Sequence, residues 1–214
     1  MTFSFQMLYI DVCATLVLGR WRVLYIFCPL TKNLPKIFMR FHPYPAVPIA
    51  KQKNGLIHAD AKALRMFWDE IDALYGEDAS FGVGCYVFSV RAGSGEKPWY
   101  VGMAEKQSFR KECFTSHKIN HYNNAIAARR GTPLLTIIPK YTPGGWLSAP
   151  NGKGHRDVQK LEAMLISNCL RRNRGLLNLK DTKILREMMV PGLLNSPPGT
   201  PAREVAAFKA LLGV

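Results

Sequence analysis

The chain has 214 residues, 48% of them hydrophobic, and carries 29 Lys and Arg against 15 Asp and Glu, a net charge of +14 at pH 7. That length is enough for one domain with a real core, with or without appendages, and the basic excess favours an anionic partner: nucleic acid, an acidic membrane surface or a polyanionic substrate. The five cysteines (Cys13, Cys28, Cys85, Cys113 and Cys169) are odd in number and contain no C-x-x-C pair, which argues against a disulfide scaffold and a Cys-rich zinc module and predicts free thiols in a reducing cytoplasm.

The first segment, MTFSFQMLYIDVCATLVLG, is mostly apolar but is interrupted by Asp11 and followed by GRWR. It is marginal in length for a membrane span and carries a charge. It also lacks the basic n-region and the small-residue cleavage site of a signal peptide. The favoured reading is a dispensable or loosely packed extension, with Met39 as a candidate downstream start, and no membrane span is expected. Between Asp11 and Asp60 there is no acidic residue, and PLTKNLPK and FHPYPAVP are punctuated by proline. Residues 1–55 therefore read as an apolar and basic extension, its later part irregular linker or wrap.

A helix is predicted over 60–75. Asp60 serves as N-cap, Leu64, Phe67, Trp68, Ile71 and Leu74 form one apolar stripe, and Gly76 ends it. Trp68 reads as core. Residues 83–90 and 98–103 are two strands joined by RAGSGEK. A helical region follows from Ser108 to Arg130, with a candidate break near Thr115–Ser116. LLTII at 134–138 is a third strand, YTPGGWLSAPNGKG a long loop, and 154–172 a strong helix. A proline-rich stretch and a short helix over 201–212 close the chain; this C-terminal part, 191–214, either packs on the domain or mediates a dimer. The expected architecture is α+β: a small three-stranded antiparallel sheet flanked by helices over residues 56–190.

Pairing Val90 with Pro98 sets Tyr86 opposite Gly102 and Phe88 opposite Tyr100, with the two tyrosines diagonal neighbours on one face. Gly102 and Gly84 then leave notches beside Tyr86, where phenols next to open backbone can position a polar group or water. In the late helix Val158, Leu161, Leu165, Ile166 and Cys169 make the apolar stripe, and Glu162 falls inside it. A carboxylate on a buried face needs a partner, either an arginine or a cation; Mg²⁺ is commonly held by one carboxylate plus waters and substrate phosphate. Arg110, Cys113 and His117 share a face if their helix is continuous. Arg110 suits a phosphate oxygen, and His117 a general acid or base or a phosphate contact. A Cys113/His117 metal pair is disfavoured, since no further ligand is near in sequence.

Gly84-x-Tyr86, Tyr100-Val101-Gly102, Arg110, Glu162 and Asn178 occur in the order found in GIY-YIG nuclease domains, which the chain resembles over residues 82–180. FRKECFTSHK is similar to a phage and bacterial branch of small GIY-YIG proteins. The resemblance implies a GIY-YIG-like fold and a metal-dependent endonuclease that hydrolyses phosphodiester bonds of nucleic acid, DNA being the expected substrate, with one Mg²⁺ or Mn²⁺. By it, Tyr86 orients or activates the attacking water, Tyr100 completes the water and phosphate network, and Gly102, with Gly84, admits substrate. Arg110 steadies the scissile phosphate, Glu162 holds the metal, and Asn178 braces the site.

Three departures mark this chain. The spacer 87–99 is slightly longer than usual, Cys85 replaces isoleucine or valine, and Phe114 stands where some members have histidine, with His117 three residues later. The base is left open between Tyr86, His117 and neither, and Lys118 is a candidate to share or replace the role of Arg110. Without a zinc finger, helix-turn-helix or second large domain to read sequence, cutting is expected to be structure-selective or weakly sequence-specific. The alternatives are a GIY-YIG scaffold that grips nucleic acid without cutting it, and a basic protein peripheral to a membrane. Monomer and homodimer both remain open.

Overall fold

The computed structural model describes residues 40–76, 78–93, 95–127, 130–178, 182–196 and 198–213; the extension read over residues 1–39 and the thiols Cys13 and Cys28 lie outside them. The described residues form an α+β body around one antiparallel sheet. Its elements are β1 (Arg40–Phe41), β2 (Val47–Pro48), α1 (Ala61–Tyr75), β3 (Gly84–Ala92), β4 (Gly95–Ala104), α2 (Phe109–Glu112), α3 (Ser116–Ile126), β5 (Thr132–Tyr141), α4 (Arg156–Arg172), α5 (Thr182–Glu187) and α6 (Arg203–Leu212). Among the described residues, no helix is long and apolar enough to cross a membrane.

The three expected strands are the centre of the sheet, in the order β5-β3-β4, but the sheet has five strands and not three: β1 and β2 both add to the far edge of β5. Residues 40–55 therefore belong to the domain and not to the extension. Val47 and Ile49 are buried in the core, and Ile49 N–H donates to the Pro133 carbonyl at 2.9 Å. Proline spacing hides two strands this short, because two residues carry no readable alternation.

The alternation of β3, β4 and β5 gives the sheet two apolar faces. One face, with Tyr86, Phe88, Tyr100, Leu135 and Ile137, packs on Phe67, Trp68 and Ile71 of α1 and on Tyr122, Ala125 and Ile126 of α3. The other, with Cys85, Val87, Val101, Met103 and Ile138, packs on Val158, Leu161, Leu165, Ile166 and Cys169 of α4. Helix α1 starts where expected: Asp60 Oδ1 accepts from the backbone N–H of Lys62 (2.9 Å) and Ala63 (3.0 Å), filling two of the donors that a helix start leaves open. Leu74, expected in its stripe, is 59% exposed.

The hairpin register is as expected through Tyr86↔Gly102 and Phe88↔Tyr100, then shifts: Pro98 faces Ser89, not Val90, across a bulge at Trp99. Proline has no N–H for the ladder, and a bulge beside it lets the strand resume pairing. The region after the hairpin breaks where suspected, into α2 and α3. Helix α5 was not expected; six residues span fewer than two turns, too few to show a repeating apolar stripe.

Candidate functional site

Strand β4 is an edge of the sheet. The chain segment 173–178 covers part of that edge: Asn173 Nδ2 donates to the Pro98 carbonyl at 2.6 Å and Leu177 N–H to the Trp99 carbonyl at 2.8 Å. Asn178 completes the cover by imitating a neighbouring strand. Its Oδ1 accepts from Val101 N–H at 2.9 Å and its Nδ2 donates to the Val101 carbonyl at 2.7 Å. Asn178, expected to brace a site by hydrogen bonds, here braces the β4 edge.

Beside this edge lies a cavity of about 600 Å³ whose lining includes Tyr100, Glu105, His117, His121, Glu162 and Asn178. Tyr100 and the two histidines come from the α3 side of the sheet, Glu162 from α4 on the other side; the cavity joins them around the strand edge. Four of the residues singled out from sequence, Tyr100, His117, Glu162 and Asn178, thus line one cavity.

Lys118 lies directly behind Tyr100. Its Nζ donates to Tyr100 Oη at 2.6 Å, and it stands 3.7 Å from Glu112 Oε1. Since the phenol oxygen accepts from an ammonium, its own proton is left to be donated to something else. The Tyr100 ring is also held by His121, stacked on it at 5.1 Å and 17°. His121 Nε2 is 3.0 Å from His117 Nε2, one helical turn earlier. Burial, then the neighbouring His117 and Lys118 charges, hold the His121 imidazolium pKa below its ordinary value. His121 is therefore biased towards the neutral form.

The other expected site residues lie elsewhere. Tyr86 is fully buried behind Tyr100, with ring centroids 6.4 Å apart, and does not line the cavity. Its hydroxyl makes no well-aligned hydrogen bond among the described residues, and its nearest polar interaction is with the buried Tyr122 hydroxyl. Burial, followed by Tyr122, Cys113 and Tyr100, pushes its pKa well above the ordinary phenol value, so it is poorly suited to act as a base. Gly102 leaves no open notch: Tyr86 fills it, its ring lying where a Gly102 Cβ would stand. Gly84 likewise faces the Ile138 carbonyl and Phe109, so its missing side chain permits close packing of β3 on β5.

Arg110 is turned away. Its guanidinium lies 3.1 Å from Asp69 Oδ1 and 3.4 Å from Asp72 Oδ2, donates from Nε to Ser80 Oγ at 3.2 Å and sits over the Phe81 ring. The break between α2 and α3 removes the shared face expected for Arg110, Cys113 and His117: Arg110 meets α1, Cys113 is buried, and His117 reaches the cavity.

Sequence reasoning missed His121, Glu105 and Gln159. The i, i+4 spacing of His117 and His121 was visible, as was the i, i+3 spacing of Gln159 and Glu162. Glu105, just past the end of β4, accepts at Oε2 from His155 N–H (2.8 Å) and Gln159 Nε2 (2.9 Å), which ties the start of α4 to the strand. Among the described residues, no group of three or more His, Cys, Asp or Glu side chains could by itself hold a metal. The carboxylates of Glu162 and Glu105 are nonetheless hard oxygen donors, and one carboxylate with waters and a phosphate suffices for Mg²⁺. No protein-family model, curated protein or solved structure matches the chain.

Proposed function

We propose that the chain is a GIY-YIG-type endonuclease that hydrolyses DNA phosphodiester bonds with one Mg²⁺ or Mn²⁺, with structure-selective or weakly sequence-specific cutting. The observation that supports this reading is the shared cavity. Tyr100 and Glu162 reach it from opposite faces of the sheet, in the order and elements that the resemblance assigns to them. The net charge of +14 supplies the sequence-independent attraction for phosphate.

A metal held by Glu162, waters and the substrate phosphate would supply a Lewis acid for the charge that grows on the leaving oxygen. The chain's own residues do the rest. Tyr100, its oxygen held by Lys118, donates a hydrogen bond from its O–H to a non-bridging oxygen of the phosphate and keeps its proton. Lys118 brings positive charge beside that phenol and takes the role first given to Arg110. The His117–His121 pair accepts the proton of the water, the assignment left open before and now the better one, since Tyr86 is sealed from solvent. Asn178 fixes β4 and thereby the place of Tyr100.

A second reading has its own support. Two residues that the resemblance makes catalytic, Tyr86 and Arg110, are committed to burial and to Asp69 and Asp72, which suits a scaffold that binds DNA without cutting it. Incubation of supercoiled plasmid and branched DNA with Mg²⁺ or Mn²⁺ separates the two. The nuclease reading expects cutting that Glu162→Gln abolishes and that Lys118→Ala slows by about 10²–10³-fold, with Arg110→Ala lowering stability by about 1 kcal/mol and leaving the rate of the folded protein near wild type. DNA bound but uncut by the wild-type protein with either metal would establish the module instead.

A further inference from the structure

His117 and His121 stand one turn apart on α3 with their Nε2 atoms 3.0 Å from each other and their rings at 78°. Two imidazoles spaced i, i+4 on one helix face are a recurrent way of holding a transition metal. The two Nε2 atoms share a hydrogen bond, so one of them carries a proton that a bound ion would displace; at metal–nitrogen distances of about 2.0–2.1 Å, nitrogens 3.0 Å apart subtend roughly 90–97° at the metal. That is the cis angle of an octahedral or tetragonal ion, and a tetrahedral ion needs the rings to part by only a few tenths of an ångström.

The pair is also held in place before any ion arrives. His121 is stacked on Tyr100, and Tyr100 is fixed through its oxygen by Lys118. His117 is exposed, and both imidazoles face the cavity that also contains Glu105 and Glu162. An ion therefore has an open approach, room for water on its remaining positions and carboxylates nearby to offset the charge of Lys118.

We propose that His117 and His121 form a two-imidazole chelate for a divalent transition metal of the Ni²⁺, Cu²⁺ or Zn²⁺ class, opening into the cavity beside β4. Imidazole nitrogen suits these ions, whereas Mg²⁺ takes oxygen ligands, so the chelate is chemically separate from a Mg²⁺ held at Glu162. It stands on the two rings and does not depend on the chain being a nuclease.

The test is a calorimetric titration of the full chain, stripped of metal with a chelator, with NiCl₂ in the absence of nucleic acid. Wild type is compared with His117→Ala and His121→Ala, each checked for folding by circular dichroism. The expected result is a Ni²⁺-binding event present in wild type and weakened at least about tenfold in each variant, unchanged by excess Mg²⁺. Substoichiometric Cu²⁺ is expected to broaden the ring proton signals of both histidines in wild type. His117→Ala is the cleaner variant, because its side chain is exposed and leaves the Tyr100 stack intact. Identical Ni²⁺ titrations for wild type and His117→Ala, or no Ni²⁺ binding by wild type, would overturn the proposal. A chain that cuts DNA with Mg²⁺ yet fails this titration loses the chelate alone; one that binds Ni²⁺ but never cuts loses the nuclease reading alone.

Discussion

Asn178→Ala removes both hydrogen bonds that close the β4 edge at Val101. Asn178 is only 7% exposed, and the two bonds are 2.9 and 2.7 Å long. The substitution leaves a buried N–H and a buried C=O unpaired, and each such group costs about 1–3 kcal/mol. The cavity adjoins Asn178 and can admit water to part of the gap, so the lower half of the summed range applies, about 2–4 kcal/mol. In urea that lowers the unfolding midpoint by roughly 1–2 M. The Val101 amide should lose its protection in hydrogen exchange, while amides of β3 keep theirs relative to the global stability. Asn178→Asp sharpens the test. The ionised carboxylate accepts from Val101 N–H but has nothing to donate to the Val101 carbonyl, so the folded state favours its protonated form and its folded pKa is raised. Stability from that form is present below the unfolded value, about 3.9, and is lost as pH rises through the folded value. Relative to wild type at the same pH, the Asp variant should therefore recover as pH falls and the Ala variant should not. An Ala variant within about 0.3 M of the wild-type midpoint, with Val101 exchange unchanged, would refute the claim that Asn178 serves as the missing strand.

Tyr86→Phe removes a buried hydroxyl that makes no well-aligned hydrogen bond and whose one polar neighbour is the Tyr122 hydroxyl, so stability should change by less than about 1 kcal/mol; a loss well beyond that in thermal unfolding would mean that the Tyr86–Tyr122 contact is a strong structural hydrogen bond. Gly102→Ala drives a Cβ into the Tyr86 ring and should cost about 1–3 kcal/mol. In a Tyr86→Ala background most of that cost should vanish, and a double-mutant cycle with coupling near zero would show the contact is not the cause. Burial pushes the Asp157 carboxyl up, but Lys140, 2.7 Å away, outweighs it and holds the pKa below the ordinary value. The folded pKa is depressed, so this stabilisation is present above about pH 3.8 and lost as pH falls through the folded value. Lys140→Met should flatten that acid limb in urea midpoints measured from pH 6 to 3, and an unchanged limb would assign the acid loss to other carboxylates.

Where one residue type fixes one local geometry, the sequence was readable. Asp60 begins α1 because its carboxylate reaches two open amides, and Trp68 is core because it falls mid-stripe. The pairing of Tyr86 with Gly102 followed from an assumed register, and the structure keeps that register at Tyr86 and Phe88 but shifts it at Pro98. The break before Ser116 was also visible. The misses all required tertiary information. Two-residue strands show no period, so β1 and β2 looked like linker. The bulge at Trp99 arises from what Pro98 cannot donate and from which segment covers that edge. Arg110 was assigned to phosphate by its chemistry, but two aspartates on α1, distant in sequence, supply the same chemistry inside the fold.

The strand order gives Tyr86 and Tyr100 unequal access to the cavity. Tyr86 is on β3, which has β4 on one side and β5 on the other; its face is closed by α1 and α3, so no route to solvent is left. Tyr100 is on β4, whose outer edge has no neighbouring strand among the described residues and is covered there by the hydrogen bonds of 173–178 at Pro98, Trp99 and Val101. At such an edge a side chain from either face can reach the same space. That is why Tyr100 and Glu162, which belong to opposite apolar faces, meet at one cavity while Tyr86 and Tyr100, which share a face, do not. The two glycines follow the same logic: Gly84 admits the Ile138 carbonyl of the neighbouring strand and Gly102 admits the Tyr86 ring. Gly102 thus makes room for the Tyr86 ring inside the hairpin, and Gly84 for the close packing of β3 on β5. The polar groups that the strand order brings to one cavity beside β4 are Tyr100, the His117–His121 pair and Glu162, with Lys118 bonded to the Tyr100 oxygen.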